Sequence, residues 1–180
     1  GLSRFDHSSQ RFENRFDSCK GLHPCEYRFS EVETDPDGKV WASSSLHRKQ
    51  LIRQNQQGQW EIAAPTFRRL LATSRQLWLF SYRNPFLYST TSGQVIPATD
   101  RFPALAQLAG RYLWEVCVDP LERMWFATDD GIYLFDGQRL ILQPGWPKQK
   151  INALLVDSRG GVWAGTSQGL YHQPGGQTSI

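Results

Sequence analysis

Three aspartates, Asp35, Asp119 and Asp157, recur at one place in a repeating pattern, each at the head of a turn-forming run such as Asp35-Pro36-Asp37-Gly38 or Asp157-Ser158-Arg159-Gly160-Gly161. A carboxylate can ligate a metal or accept a proton. An acid required at the same point of every repeat instead reads as a cap on the backbone amides of its turn. Asp35-x-Asp37-Gly38 opens like a calcium loop, but no third ligand and no closing Glu follow at the offset such a loop needs. His7, His23, His47 and His172 are scattered, with neither a paired carboxylate nor a second His at ligand spacing. Phosphate-loop, nucleophile-elbow and metalloprotease motifs are missing from the sequence. The expectation is a chain with no catalytic residue, no cofactor and no metal.

Two other groups bear on binding. Arg111-Tyr112 with Trp114, and Gly145-Trp146-Pro147-Lys148, each combine large aromatics with a cation. A ring stacked on a sugar face, with Arg or Lys nearby, makes a carbohydrate or anion site. The plainer alternative is that Tyr112 and Trp146 simply pack in the core. Cys19 and Cys25 bracket a short loop whose Gly21 and Pro24 can bring the sulfurs together in an oxidising compartment. The spacing equally allows two thiols on a loop, or a metal corner with His23 that lacks a fourth ligand. Cys117, inside the apolar run from Trp114 to Val118, reads as packing.

These residues need elements to hold them, and the composition says which kind. The 180 residues are 39% hydrophobic and 21% charged, well inside the range of folded chains. Seven Trp, ten Phe and six Tyr against one Met favour sheet over helix. A net charge of +3 is too small and too evenly spread for a nucleic-acid binder. No apolar run approaches the ~18 residues that cross a bilayer, and no charged-then-apolar leader opens the chain. A soluble chain is expected, and its first residue, Gly1, leaves room for a removed upstream segment.

The organising feature is a repeat. The run Val116 to Tyr133 aligns without gaps on Leu154 to Tyr171, with Asp, Trp, Thr and Gly in register. A third copy runs from Val32 to Ser44, and a weaker fourth from Leu70 to Ser81. The aligned tryptophans, Trp41, Trp78, Trp125 and Trp163, are spaced by 37, 47 and 38 residues, close to the ~40–50 residues of a four-stranded propeller blade. Each copy reads as an inner strand (Ile151 to Val156), a tight turn and a Trp strand. A glycine (Gly131, Gly169) then leads into an aromatic strand, and a second turn into an outer strand such as Gln138 to Leu142. That order is an antiparallel meander, so the fold predicted is all-β, made of β-propeller blades. The expected organisation is an incomplete blade over 1–19, blades over 20–62, 101–144 and 145–180, and a divergent blade over 63–100. Gly1 to Asp6 aligns with Gly131 to Asp136, so the first unit begins at its third strand. About four and a half repeats are expected to belong to a larger propeller, completed by further blades or by another copy of the chain.

The recurring inner strand, Asp, Gly, apolar residue, Trp, small residue, Thr and Gly-Leu resembles the two-component regulator propeller repeat, most closely at Ile151 to Tyr171, well at Val116 to Phe135 and Val32 to Ser44, and partly at 70–81. The copy around Trp78 departs from it, with Thr73-Ser74-Arg75-Gln76 and Ser81-Tyr82-Arg83 replacing the Asp-Gly turn and the Gly-Leu. The resemblance implies an extracytoplasmic, periplasmic sensor domain of a membrane-bound histidine kinase, hybrid two-component system or diguanylate cyclase. Its ligand would be a glycan or another small molecule, and its output domain and membrane contacts would lie outside this segment. The competing expectation is a scaffold for protein contacts or receptor dimerisation.

Overall fold

The computed structural model describes residues 3–6, 8–14, 29–44, 50–55, 57–65, 67–89 and 92–175. The Cys19–Cys25 loop, His7, His23 and His47 lie outside the described residues. The chain divides into two compact units, 1–79 and 80–180.

Unit 1 opens with a hairpin of β1 (Ser3–Asp6) and β2 (Arg11–Asn14), paired from Ser3 opposite Asn14 to Asp6 opposite Arg11. Then comes a meander of β3 (Phe29–Thr34), β4 (Val40–Ser44), β5 (Gln50–Gln54) and β6 (Trp60–Pro65), hydrogen-bonded in that order. Its core is Trp41, Ala42, Leu51, Ile52 and Trp60. The next inner strand, β7 (Arg69–Ala72), is tied back to this sheet, because Leu70 N–H donates to Glu31 Oε2 and Ser43 Oγ donates to the Phe67 carbonyl. A second meander orders β7, β8 (Leu77–Phe80), β9 (Pro85–Ser89) and β10 (Gln94–Pro97), of which β9 and β10 belong to unit 2.

Unit 2 holds a third meander of β11 (Leu113–Val118), β12 (Met124–Thr128), β13 (Ile132–Phe135) and β14 (Leu140–Gln143). A three-stranded sheet of β15 (Ile151–Val156), β16 (Val162–Thr166) and β17 (Gly169–Gln173) follows it. The fold is all-β in antiparallel blades, as the repeat predicts. Two short 3-10 segments, Ala98–Asp100 and Pro103–Leu108, lead into β11 and bury Ala98, Leu105 and Leu108. Among the described residues no helix is long and apolar enough to cross a membrane.

Burial explains the sequence pattern strand by strand. The second and third strands of the β11–β14 blade are buried along their whole length, because both faces are covered. The β11–β14 and β15–β17 sheets share one core. Trp125, Ala127, Ile132 and Leu134 meet Ile151, Leu154, Val156, Val162 and Ala164, with Trp114, Cys117, Trp146 and Tyr171 at its margin. Burying a side chain of this size contributes about 1.5–3 kcal/mol. The inner strands β3, β11 and β15 each carry a register shift at their second residue, between Phe29 and Glu31, Leu113 and Glu115, and Ile151 and Ala153. Such a bulge bends the strand and increases its twist.

The outer strand differs slightly from expectation. β14 starts at Leu140 because the amides of Gln138 and Arg139 donate to Asp136 Oδ1 and so belong to the turn. Gly131 also stays outside β13, at φ +146°, whereas Gly169, at φ +138°, opens β17.

Candidate ligand-binding surface

The repeated aspartates and tryptophans form one device. In the turn after each inner strand, Oδ1 of the aspartate accepts two backbone amides, from Asp37 and Lys39 at Asp35, Leu121 and Arg123 at Asp119, and Arg159 and Gly161 at Asp157, all at 2.8–3.0 Å. The other oxygen accepts the indole N–H six residues on: Trp41 at 2.7 Å, Trp125 at 3.3 Å and Trp163 at 2.9 Å. The carboxylate therefore fixes its turn and also satisfies the polar handle of a tryptophan that must otherwise be buried. These hydrogen bonds, first the indole and then the Gly161 amide, hold the Asp157 carboxyl below the usual carboxylate range. Asp119 is buried and adds an ion pair with Arg123 Nε at 2.7 Å. The divergent copy achieves the turn differently. Thr73 Oγ1 accepts the amides of Arg75 and Gln76 in a turn one residue shorter.

The turn between the second and third strands has its own repeated cap. Thr128 Oγ1 donates to the Gly131 carbonyl, Thr166 Oγ1 to that of Gly169, and Ser81 Oγ to that of Asn84. In a meander this turn lies at the same end of the sheet as the loop entering the inner strand. Residues from both places in unit 2 consequently share a surface.

On that surface the Tyr82 and Tyr112 rings lie 5.1 Å apart and the Tyr112 and Trp114 rings 4.1 Å apart, a continuous aromatic row. Lys150 Nζ stands 5.4 Å from the Trp114 ring. Tyr82 is 52% exposed and Lys150 is exposed, while Tyr112 and Trp114 are half-buried. Arg111 is not a loose cation here. Its Nε donates to Asp130 Oδ2 at 2.8 Å, a second nitrogen donates to the Gln107 carbonyl, and its guanidinium lies 5.3 Å from the Tyr133 ring. Asp130 also accepts from Thr128 Oγ1 at 2.6 Å and from Tyr133 Oη at 3.0 Å.

Partial burial opposes ionisation of Asp130, but the donors on Thr128, Arg111 and Tyr133 outweigh it and leave the carboxyl below its ordinary range. The hydrogen bond to Asp130 raises Arg111 above its ordinary value, and burial, then Asp130, raises the Tyr133 phenol. Tyr112 N–H donates to Asp129 Oδ1 at 3.0 Å. Together these bonds fix the strand-entry loop against the β12–β13 turn and so set the pose of Tyr112.

Arg111, Tyr112 and Trp114 are thus brought together, whereas the second sequence candidate lies apart from the row. Trp146 packs at the margin of the shared core and lines a cleft of about 260 Å³ with Tyr171 and His172. Lys148 is exposed. Sequence reasoning missed Tyr82 and Lys150. Both were accessible by alignment: Lys150 immediately precedes β15 as Tyr112 precedes β11, and Tyr82 follows Ser81 as Asp129 follows Thr128. Among the described residues no group of three or more His, Cys, Asp or Glu side chains is placed to hold a metal ion.

The blades define a class, the β-propeller. Within it, residues 145–168 match the family model of the two-component regulator propeller. The chain is similar to the extracellular domains assigned to two hybrid two-component systems of B. thetaiotaomicron. One has a TM-score of 0.64 at 18% identity, covering 96% of this chain and 24% of that one. The other has a TM-score of 0.63 at 18% identity, covering 99% and 26%. A protein assigned as a gluconolactonase is also similar, with a TM-score of 0.60 at 14% identity, covering 94% of this chain and 65% of its own. The chain spans about a quarter of the length of the two B. thetaiotaomicron domains. At these identities the likeness is one of fold. No curated protein matches the sequence.

Proposed function

We propose that this chain is a ligand-binding segment of a β-propeller sensor in the extracytoplasmic, periplasmic part of a bacterial signal-transduction receptor. The observation that carries the reading is the two-component regulator propeller repeat at 145–168. The aromatic row of Tyr82, Tyr112 and Trp114 supplies the place for a ligand. Aromatic faces receive the C–H faces of a sugar ring, and Lys150 beside Trp114 offers a cationic donor to a hydroxyl or an acidic substituent. Arg111 acts as a positioning residue, because its guanidinium is committed to Asp130. The segment binds without chemistry, and any kinase or cyclase output belongs to another part of the polypeptide.

The test is a glycan array probed with the protein, followed by recovery of whatever is bound. The expected result is retention of one saccharide class, released chemically unchanged. Binding of no glycan would overturn the sugar version of the reading, and release of a cleaved or rearranged product would overturn the non-enzymatic one.

A further inference from the structure

Two cations flank the aromatic row, and both lack a counter-ion. Arg83 follows Tyr82 on the β8–β9 turn; it is exposed, and its Nη1 donates to the Gly110 carbonyl at 3.3 Å. Lys150 is exposed at the Trp114 end, with Nζ 5.4 Å from that ring. Among the described residues neither is ion-paired, and the ion pairs of unit 2 are Arg111 with Asp130, Arg123 with Asp119 and Arg139 with Asp136. The acids of the same surface are already engaged. Asp130 accepts from Arg111, Thr128 and Tyr133, and Asp129 Oδ1 accepts the Tyr112 amide at 3.0 Å.

Aligning the blades shows how the two cations come to be left over. Where the β12–β13 turn carries Asp129 and Asp130, the β8–β9 turn carries Tyr82 and Arg83, so a cation stands in place of an acid. At the entry to β15, Gln149 stands where the earlier blade has Arg111. Its Nε2 donates to Thr166 Oγ1 at 3.2 Å and to Tyr171 Oη at 3.3 Å, fastening the entry loop to the β16–β17 turn. The fastening is the one Arg111 makes, rebuilt without charge. Lys150, in the place of Tyr112, is therefore held beside the row with no carboxylate to neutralise it. An ammonium lying over a ring has already shed part of its water, and a guanidinium bound through one nitrogen keeps further N–H donors to offer.

We infer that the row takes an anionic saccharide, with one carboxylate or sulfate meeting Lys150 and another meeting Arg83. The inference rests on the reading of the row as a saccharide site and narrows it, because a neutral glycan would leave both cations uncompensated. Cations on the Tyr82 and Trp114 sides of three rings call for acids on separate sugar units, hence an acidic chain and not a single acidic monosaccharide.

The test is a panel of oligosaccharides in matched pairs, uronate chains beside their methyl esters and sulfated chains beside their desulfated counterparts. The panel is probed with the wild type, Arg83→Met and Lys150→Met, and binding pairs are measured by calorimetry. The expected result is that the acidic member binds at least ~5-fold more tightly than its uncharged counterpart, the upper worth of one exposed ion pair. That preference shrinks as salt is added. Each variant keeps the aliphatic stem and lowers the preference, and the pair that shows it, uronate or sulfate, identifies the acid. Equal affinity within every pair overturns the inference and leaves the row a site for neutral sugars. An undiminished preference in both variants also overturns it, by placing the acid elsewhere. Binding of no member overturns the saccharide reading itself, and this inference with it.

Discussion

Replacing Asp119 by alanine removes one carboxylate and strands four donors: the amides of Leu121 and Arg123, the Arg123 guanidinium and the Trp125 indole. The two amides sit in an exposed turn where water can replace the acceptor, so each costs about 0.5–1 kcal/mol. The indole belongs to a fully buried tryptophan, and an unmet buried donor costs about 1–3 kcal/mol. Arg123 is partly exposed and can turn to solvent, adding little. The sum is about 2–5 kcal/mol, a large share of the ~5–15 kcal/mol that stabilises a typical domain. Asp136→Ala is the matched control. Its Oδ1 also accepts two turn amides, but its second oxygen meets only the exposed Arg139, so about 1–2 kcal/mol is expected. Urea unfolding followed by tryptophan fluorescence reads both. If Asp119→Ala costs no more than Asp136→Ala, the coupling of turn and tryptophan through one carboxylate is wrong.

Three other outcomes follow from the same geometry. Stability should be flat above the usual carboxylate range and fall as the pH drops through the lowered folded-state values of Asp130, Asp136 and Asp157; acid titration by circular dichroism reads this, and Asp136→Asn should flatten part of the fall. Gly131→Ala and Gly169→Ala should each lower the urea midpoint by an amount equivalent to about 1–2 kcal/mol, because both hold a positive φ. Gly131 should cost the more of the two, since its Cβ would approach Leu142 Cδ1 to 2.9 Å. Arg111→Ala should lower the affinity for a bound saccharide without abolishing binding, because it frees the loop that carries Tyr112 and leaves the rings in place; isothermal titration calorimetry would read the change.

The blades were legible because the fold spends the same residues in each copy: an aspartate for the turn, a tryptophan for the core between sheets, a threonine or serine for the next turn. What periodicity could not reveal was that two of these are one unit. Asp and Trp recur separately in the sequence, and only the hydrogen bond across six residues joins them. The copy around Trp78 looked degenerate for the same reason, since Thr73 delivers by hydroxyl what aspartate delivers elsewhere. The candidate site was half legible. Arg111, Tyr112 and Trp114 are neighbours in sequence and stand out, whereas Tyr82 and Lys150 come from different blades and meet them only because alternate turns of a meander share one end. Trp146 carried the same local signature of aromatic and cation, but its ring lies against the shared core.

The claim on which the account turns is that the aromatic row receives the ligand. Its most direct test is the quenching of tryptophan fluorescence by the saccharide selected on the array, compared between the wild-type chain and the Tyr82→Ala and Tyr112→Ala variants. Both tyrosines lie outside the shared core, so the variants should fold normally by circular dichroism. Saturable quenching is expected in the wild type and at least a ~10-fold weaker affinity in each variant, the equivalent of about 1.4 kcal/mol for one lost stacking contact. Unchanged affinity in both variants would contradict it and move the ligand to another surface.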